Sequence, residues 1–77
     1  MEIKTYSIKQ VSDITGVGQN RIREWHEKGL LPGVHWIEVG TRQHRRFTDD
    51  DIRVIRKIDE LQGKGFVLRK AAEQANK

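Results

Sequence analysis

The spacing of apolar and polar positions predicts four helices, each bounded by a polar cap or a glycine. In the first, apolar residues recur at every third position, at Ile8, Val11 and Ile14. Ser7 precedes them with Gln10 three residues later, as in a capping box, and Gly16 follows as a left-handed cap. We therefore expect a short helix between Ser7 and Gly16.

The second predicted helix, from about Gly18 to Lys28, is polar over most of its surface, and Gly29 ends it. Only Ile22 and Trp25 are large and apolar, and at about 100° per residue they share one narrow edge. Such a helix packs by that edge and exposes a broad polar face. We expect Trp25 to pack against the first and third helices, and Leu30-Leu31-Pro32 to return the chain to the core.

Two short stretches after this helix are typical of a β-hairpin. Residues 34–39 are rich in β-branched and aromatic side chains, and residues 44–47 form the second predicted strand. Residues 40–43 are the predicted turn, and they make the hairpin tip polar and basic, with Arg42, Arg45 and Arg46 near it.

The third and fourth predicted helices follow the hairpin. Thr48 is an N-cap with Asp51 three residues later, and Asp49 and Asp50 suit the positive first turn. The third helix carries the strongest apolar stripe in the chain: Ile52, Ile55, Ile58 and Leu61. Gly63 and Gly65 interrupt it. The last helix is indicated by Leu68, Ala71, Ala72 and Ala75, and we expect Phe66 to fill the core at the bend.

Length and composition narrow the function classes. The chain of 77 residues contains no cysteine and no apolar run near the roughly 20 residues that cross a bilayer. We expect a single domain over residues 1–77, in the cytoplasm and without a membrane partner. No cofactor, metal site or catalytic constellation is predicted. The spacing of His26, His35 and His44 fits no compact metal site, and residues 49–51 are better explained by helix capping.

Positive charge is concentrated in the middle of the chain. The net charge is +4, and residues 21–46 hold six Lys or Arg against three acidic residues. A basic patch on a small domain favours a nucleic-acid partner. Two short helices joined by a glycine turn, the second with a polar outer face, are typical of a helix-turn-helix, in which the second helix enters the major groove.

The predicted DNA contacts lie on the second helix and on the hairpin. Side chains in the N-terminal half of the second helix have the donors and acceptors that read base edges, and they are Gln19, Asn20, Arg21 and Arg23. The hairpin forms a wing that contacts phosphates or the minor groove through Thr41, Arg42, His44, Arg45 and Arg46. The fold is therefore predicted as mainly α with a small β-hairpin: a winged helix-turn-helix of about four helices.

Three segments carry a resemblance to the MerR superfamily. Residues 16–32, with Gly16-Val17, the run Ile22-Arg23-Glu24-Trp25 and the ending Gly29-Leu30-Leu31-Pro32, are similar to its helix-turn-helix. Arg45-Arg46-Phe47-Thr48 resembles its junction after the wing. Gly65-Phe66-Val67-Leu68 resembles the start of its fourth helix. The resemblance implies that Arg23 lies at the DNA backbone and that the wing arginines contact phosphates.

Three departures from the family pattern keep other roles open. Glu24 replaces an aromatic residue, and we expect it to pair with Lys28 instead. The wing, residues 29–47, is longer than usual and is similar to excisionase-type and partition-type relatives. The family's long dimerising helix is missing, which suggests the N-terminal DNA-binding fragment of a longer protein. A homodimer through a further segment, or cooperative assembly on DNA, is compatible with this.

The sequence therefore predicts specific binding to double-stranded DNA, with transcription regulation as the favoured role and no enzymatic activity. The alternative within DNA binding is the domain of a plasmid or chromosome partition protein at the nucleoid, or an excisionase. The alternative from another class is a protein-interaction module. Salt dependence separates these classes, because phosphate contacts weaken steeply with salt.

Overall fold

The computed structural model describes residues 4–33, 35–39 and 42–76, which form four helices and a two-stranded antiparallel hairpin. In chain order these are α1 Ile8–Thr15, α2 Gln19–Glu27, β1 His35–Val39, β2 Arg42–Arg46, α3 Asp49–Gly63 and α4 Leu68–Ala75. The predicted mainly helical architecture with a hairpin wing is confirmed. None of the helices in these ranges has the length and apolarity to cross a bilayer.

Local capping explains where α1 and α2 begin and end. The Ser7 hydroxyl accepts from the Gln10 amide at 3.2 Å, and the Ser7 amide donates to the Gln10 side chain at 2.9 Å. Gly16 and Gly29 adopt φ of 76° and 73°, conformations that favour glycine. Beyond Gly29, the Leu30 amide donates to the Trp25 carbonyl at 3.0 Å and closes the end of α2. The predicted caps of these two helices are confirmed.

The core lies where α1, α2, α3 and α4 converge. Trp25 is 2% exposed, and Ile22, Ile55 and Ile58 are fully buried in the same cluster. The backbones approach most closely between β1 and β2, α3 and α4, α1 and α2, and α1 and α3. Because α1 contacts both α2 and α3, it connects the polar second helix to the strongest apolar stripe.

Two apolar residues lie further out than the sequence predicts. Phe66, predicted to fill the core, is 44% exposed. Ala71 and Ala72 are buried where α4 packs on α3, so these small side chains, and not the ring of Phe66, lie in the core at this junction. Ile14 is 42% exposed, because a three-residue spacing drifts by about 60° per step and only Val11 faces the core directly.

The hairpin turn is shorter than predicted, which changes where the arginines lie. Val39 pairs with Arg42, so only residues 40–41 separate the strands and residues 42–43 belong to β2. The register places Arg45 and Arg46 opposite Trp36 and His35, at the base of the hairpin. The prediction that Arg45 and Arg46 lie near the tip is therefore wrong.

The segment before α1 extends the hairpin by one antiparallel bridge, a feature with no signal in the sequence pattern. The Tyr6 amide donates to the Phe47 carbonyl at 2.8 Å, and the Phe47 amide donates back at 2.9 Å. The Tyr6 hydroxyl also donates to Asp49 at 2.8 Å. These bonds fix the base of the wing to the start of α1 and of α3.

Asp51 joins the start of α3 to the loop that follows α2. Its carboxylate is completely buried and accepts from the Thr48 amide at 2.8 Å, the Thr48 hydroxyl at 3.1 Å and the Gly33 amide at 2.9 Å. The Thr48 hydroxyl in turn accepts from the Asp51 amide, which completes the predicted capping box. A side chain at Gly33 would collide with Thr48, since a Cβ there would lie 2.6 Å from the hydroxyl oxygen.

We expect Asp51→Ala to lower the free energy of unfolding by about 2–4 kcal/mol, because it leaves buried donors without an acceptor. Asp50→Ala is the matched control, since Asp50 lies in the same helical turn but is exposed and, within the described part of the chain, pairs with the exposed Arg53. Urea denaturation of both variants measures the difference. Equal losses in the two variants would contradict this account of Asp51.

Candidate nucleic-acid interface

The outer face of α2 presents side chains that hydrogen-bond well. Gln19, Asn20 and Arg23 are all exposed, because Ile22 and Trp25 occupy the buried edge of the same helix. Amide and guanidinium groups match the hydrogen-bonding edges of adenine and guanine. The buried edge thus fixes the helix to the core, and its polar side is exposed and accessible to a DNA groove.

The first amides of α2 are not capped by the side chain of the residue before them. Gly18 is the N-cap, is exposed and makes no side-chain cap bond. Amide groups at such a terminus carry partial positive charge and attract a phosphate. The turn before it is fixed, because Val17 is buried and its carbonyl accepts from the Ser12 hydroxyl at 2.7 Å. The N-terminus of α2 is therefore fixed in position and accessible from solvent.

Arg21 points towards α3 rather than along the outer face of α2. Its guanidinium donates to Asp59 at 3.2 Å and to Gln62 at 2.8 Å, and it lies 5.0 Å from the centre of the Trp25 ring. These partners have no counterpart among the sequence predictions. The assignment of Arg21 to base edges stays a prediction.

The two carboxylates of α2 are each paired with a cation. Glu24 and Lys28 are 3.0 Å apart, which confirms the expected pairing one turn along the helix. Glu27 accepts from Arg45 of β2 at 3.3 Å. Pairing reduces the repulsion that two glutamates on this helix would exert on a phosphate backbone. The second pair also connects the helix to the base of the wing.

The arginines at the base of the wing are engaged within the protein. The side chain of Arg45 is only 20% exposed, and that of Arg46 donates to the Thr5 hydroxyl at 3.2 Å and the Thr5 carbonyl at 3.3 Å. Arg42 lies next to the turn and His44 lies opposite Ile37 in the register. The side chains of Arg42 and His44, and all of Thr41, lie outside the described residues. Their DNA contacts stay predictions.

The side chain of His26, a residue of α2, packs against the base of the wing. Its ring meets Phe47 edge-on with centroids 6.4 Å apart. Burial lowers the pKa of His26, and the nearby Arg45 guanidinium lowers it further, while the carboxylates of Asp51 and Glu27 act in the opposite direction. The neutral form of the imidazole therefore predominates at pH 7, and the ring is part of the packed junction.

Residues 6–76 match the family described as MerR HTH family regulatory protein. The chain belongs to this family. Every predicted contact residue, from Gln19 to Arg46, falls within the matched range. None of the curated proteins matches the sequence.

A solved structure has the same fold. The chain is similar to the crystal structure of HiNmlR, a MerR family regulator lacking the sensor domain, bound to promoter DNA. The TM-score is 0.78 with 29% sequence identity, over 95% of this chain and 53% of that chain. The chain therefore spans about half the length of that regulator. The family resemblance inferred from the sequence is confirmed.

We expect the stability of the domain to fall as the pH drops below about 6.5, the ordinary histidine value. The pKa of His26 is lowered in the folded state, so the unfolded chain binds the proton more readily in the window just below that value. The favourable contribution of neutral His26 is complete above this window and is lost through it. Urea denaturation between about pH 5 and 8 measures the effect.

His26→Gln is the control, because it removes this titration while His35 and His44 remain in both proteins. The variant should show a flatter dependence of stability on pH over the window. Parallel curves for the two proteins would rule out His26 as the source.

Proposed function

We propose that this MerR-family chain binds duplex DNA in a sequence-specific manner and acts as the DNA-binding domain of a transcription regulator. The observation that carries the proposal is the geometry of α2, which is anchored by the buried Ile22 and Trp25 and exposes Gln19, Asn20 and Arg23. The likeness to a MerR regulator bound to promoter DNA supports it. Such a domain acts by binding rather than by catalysis, and we place it in the cytoplasm.

In this proposal α2 enters the major groove with its N-terminus leading. Gln19 and Asn20 lie in the first turn, where helices of this kind meet base edges. Arg23 lies one turn further on the exposed side and pairs with a backbone phosphate. The helix N-terminus at Gly18 adds a second phosphate contact through its amides.

The wing supplies contacts beside the helix. Glu27 and Arg45 connect the base of β2 to α2, so both elements approach DNA as one surface. Arg42, adjacent to the turn, is the wing arginine placed furthest from that base. We assign it to the backbone or the minor groove, since a hairpin tip is too narrow to present a row of base-reading side chains.

We expect binding to weaken steeply with salt. If about four to six Lys, Arg and helix-terminus contacts neutralise phosphates, log K should fall against log salt with a slope of roughly −4 to −5. Fluorescence anisotropy with a duplex selected from a random pool, at several salt concentrations, gives the slope. A slope shallower than about −2 would favour a protein-interaction module instead.

Substitution of a base-contacting residue and of a phosphate-contacting residue should affect DNA binding in different ways. Asn20→Ala should weaken binding to the selected duplex by about 1–3 kcal/mol and leave a scrambled duplex nearly unchanged, because a base contact carries discrimination. Arg42→Ala should weaken both duplexes similarly and flatten the salt slope by about one unit, because a phosphate contact carries none. Anisotropy titrations of both duplexes compare the variants.

Arg53→Ala is the matched control for the loss of an arginine, since Arg53 lies on the solvent face of α3 with its side chain 77% exposed. It should bind both duplexes like the unmodified protein. If Arg42→Ala abolished the preference and Asn20→Ala weakened both duplexes equally, the wing would be the reader and α2 the anchor.

A further inference from the structure

We infer that Arg21 is a positioning residue, which sets the orientation of α2 by bracing it against α3, and does not itself read bases. The inference deepens the proposed DNA binding and rests on it. Its starting point is the fork that Arg21 makes with Asp59 and Gln62, two residues three positions apart on one face of α3.

The fork has the geometry of a planar group held at three points. Two of its nitrogens bind different acceptors, at 3.2 Å to Asp59 and 2.8 Å to Gln62. The guanidinium also lies 5.0 Å from the centre of the Trp25 ring, within the range of a cation–π contact. Lysine presents a compact point charge and lacks the planar fork that donates in two directions while lying over a ring. The arrangement therefore uses what is particular to arginine.

The contact of Arg21 with Asp59 and Gln62, called the brace, lies where the backbones of α2 and α3 offer little direct contact. α1 packs closely on both α2 and α3, whereas α2 and α3 are not among the closely approaching pairs of elements. Trp25 and Ile22 bury one edge of α2, and Glu27 is paired with Arg45 of the wing, so the freedom that remains to the helix is a small rotation about its axis on the α3 side. A polar contact on the α3 side limits that rotation. A rotated helix would move Gln19 and Asn20 away from their base edges.

The direction of Arg21 separates positioning from reading. Asn20, Arg23 and Glu24 are exposed on α2 without any contact to α3 among the bonds of the described residues. Arg21 has its side chain 46% exposed and turned to the carboxylate of Asp59. To contact a base, Arg21 would have to break its hydrogen bonds to Asp59 and Gln62 and its contact with the Trp25 ring.

The test uses Asp59, which lies on α3 and belongs to no DNA contact proposed here. Removing its charge should strengthen DNA binding if only long-range electrostatics matter, because a negative charge near phosphates is lost. If Asp59 acts through Arg21, then Asp59→Asn should weaken binding to a pool-selected duplex. We expect a loss of about two- to fivefold, the range associated with a half-exposed ion pair.

The experiment compares Arg21→Ala, Asp59→Asn, the double variant and the control Glu60→Gln on the selected duplex and on a scrambled duplex. Glu60 is the next residue of α3, and it pairs with Lys64 of the neighbouring turn and not with a residue of α2. We expect both single variants to lose affinity mainly for the selected duplex. The double variant should be no weaker than Arg21→Ala, because the two residues form one unit. Glu60→Gln should bind as tightly as the unmodified protein or more tightly.

Two results would overturn the inference. If Asp59→Asn bound the selected duplex at least as well as Glu60→Gln while Arg21→Ala lost the preference, Arg21 would be a base reader. If neither single variant changed binding, the brace would have no part in recognition.

A measurement without DNA separates failure of the brace from failure of the proposed function. In two-dimensional NMR spectra of the free protein, Asp59→Asn should shift the indole resonance of Trp25 and the amides of α2 more than Glu60→Gln does. If the unmodified protein showed no salt-dependent binding to any duplex, the proposed DNA-binding function would be wrong. The spectra would still show whether the contact of Arg21 with Asp59 orients α2. Unchanged α2 resonances would refute the brace itself.

Discussion

Burial of one narrow edge of α2 is the interaction on which the rest of the structure depends. Ile22 and Trp25 are the only large apolar side chains of that helix, and both are almost entirely removed from water. Without them a nine-residue helix of this polarity would be marginal in water. Their burial fixes the helix against the core and obliges its opposite side to face outward. The candidate interface is the consequence of that single packing contact.

Polar contacts around this edge refine the geometry more than they hold the fold together. Arg21 connects α2 to α3, and Glu27 connects it to Arg45 of the wing. Partly exposed ion pairs of this kind contribute about 1 kcal/mol each, far less than a buried tryptophan. Their main effect is on orientation, since each restricts how α2 is rotated or how the wing is inclined. Asp51 differs, because its carboxylate is fully buried and its hydrogen bonds join two segments of the backbone.

The distribution of charge explains how a helix with two glutamates can face a polyanion. Glu24 and Glu27 are both paired with cations, while Arg23 is exposed on the same helix. The chain as a whole carries a net charge of +4. In the proposed complex with DNA, long-range attraction comes from the whole domain, and local discrimination is assigned to the few donors at the start of α2. Salt should weaken the first contribution much more than the second.

The sequence by itself determined the features that arise within one turn or one element. The capping boxes at Ser7 and Thr48, the glycine ends of α1 and α2, and the pairing of Glu24 with Lys28 follow from residues three to four positions apart. Such contacts are set by helix geometry and need no knowledge of the fold. The family motifs depend on the same local spacing, which is why the sequence was sufficient to indicate the family.

Only the tertiary structure decided the contacts between elements. Arg21 meets Asp59 across 38 positions and Arg46 meets Thr5 across 41, so neither pair has a periodic signal in the sequence. The exposure of Phe66 is likewise a property of how the chain passes from α3 to α4, two helices that pack together. The hairpin arginines were misplaced because a difference of two residues in the turn changes the whole register. These outcomes depend on distances and angles between packed helices, which side-chain periodicity along one chain does not encode.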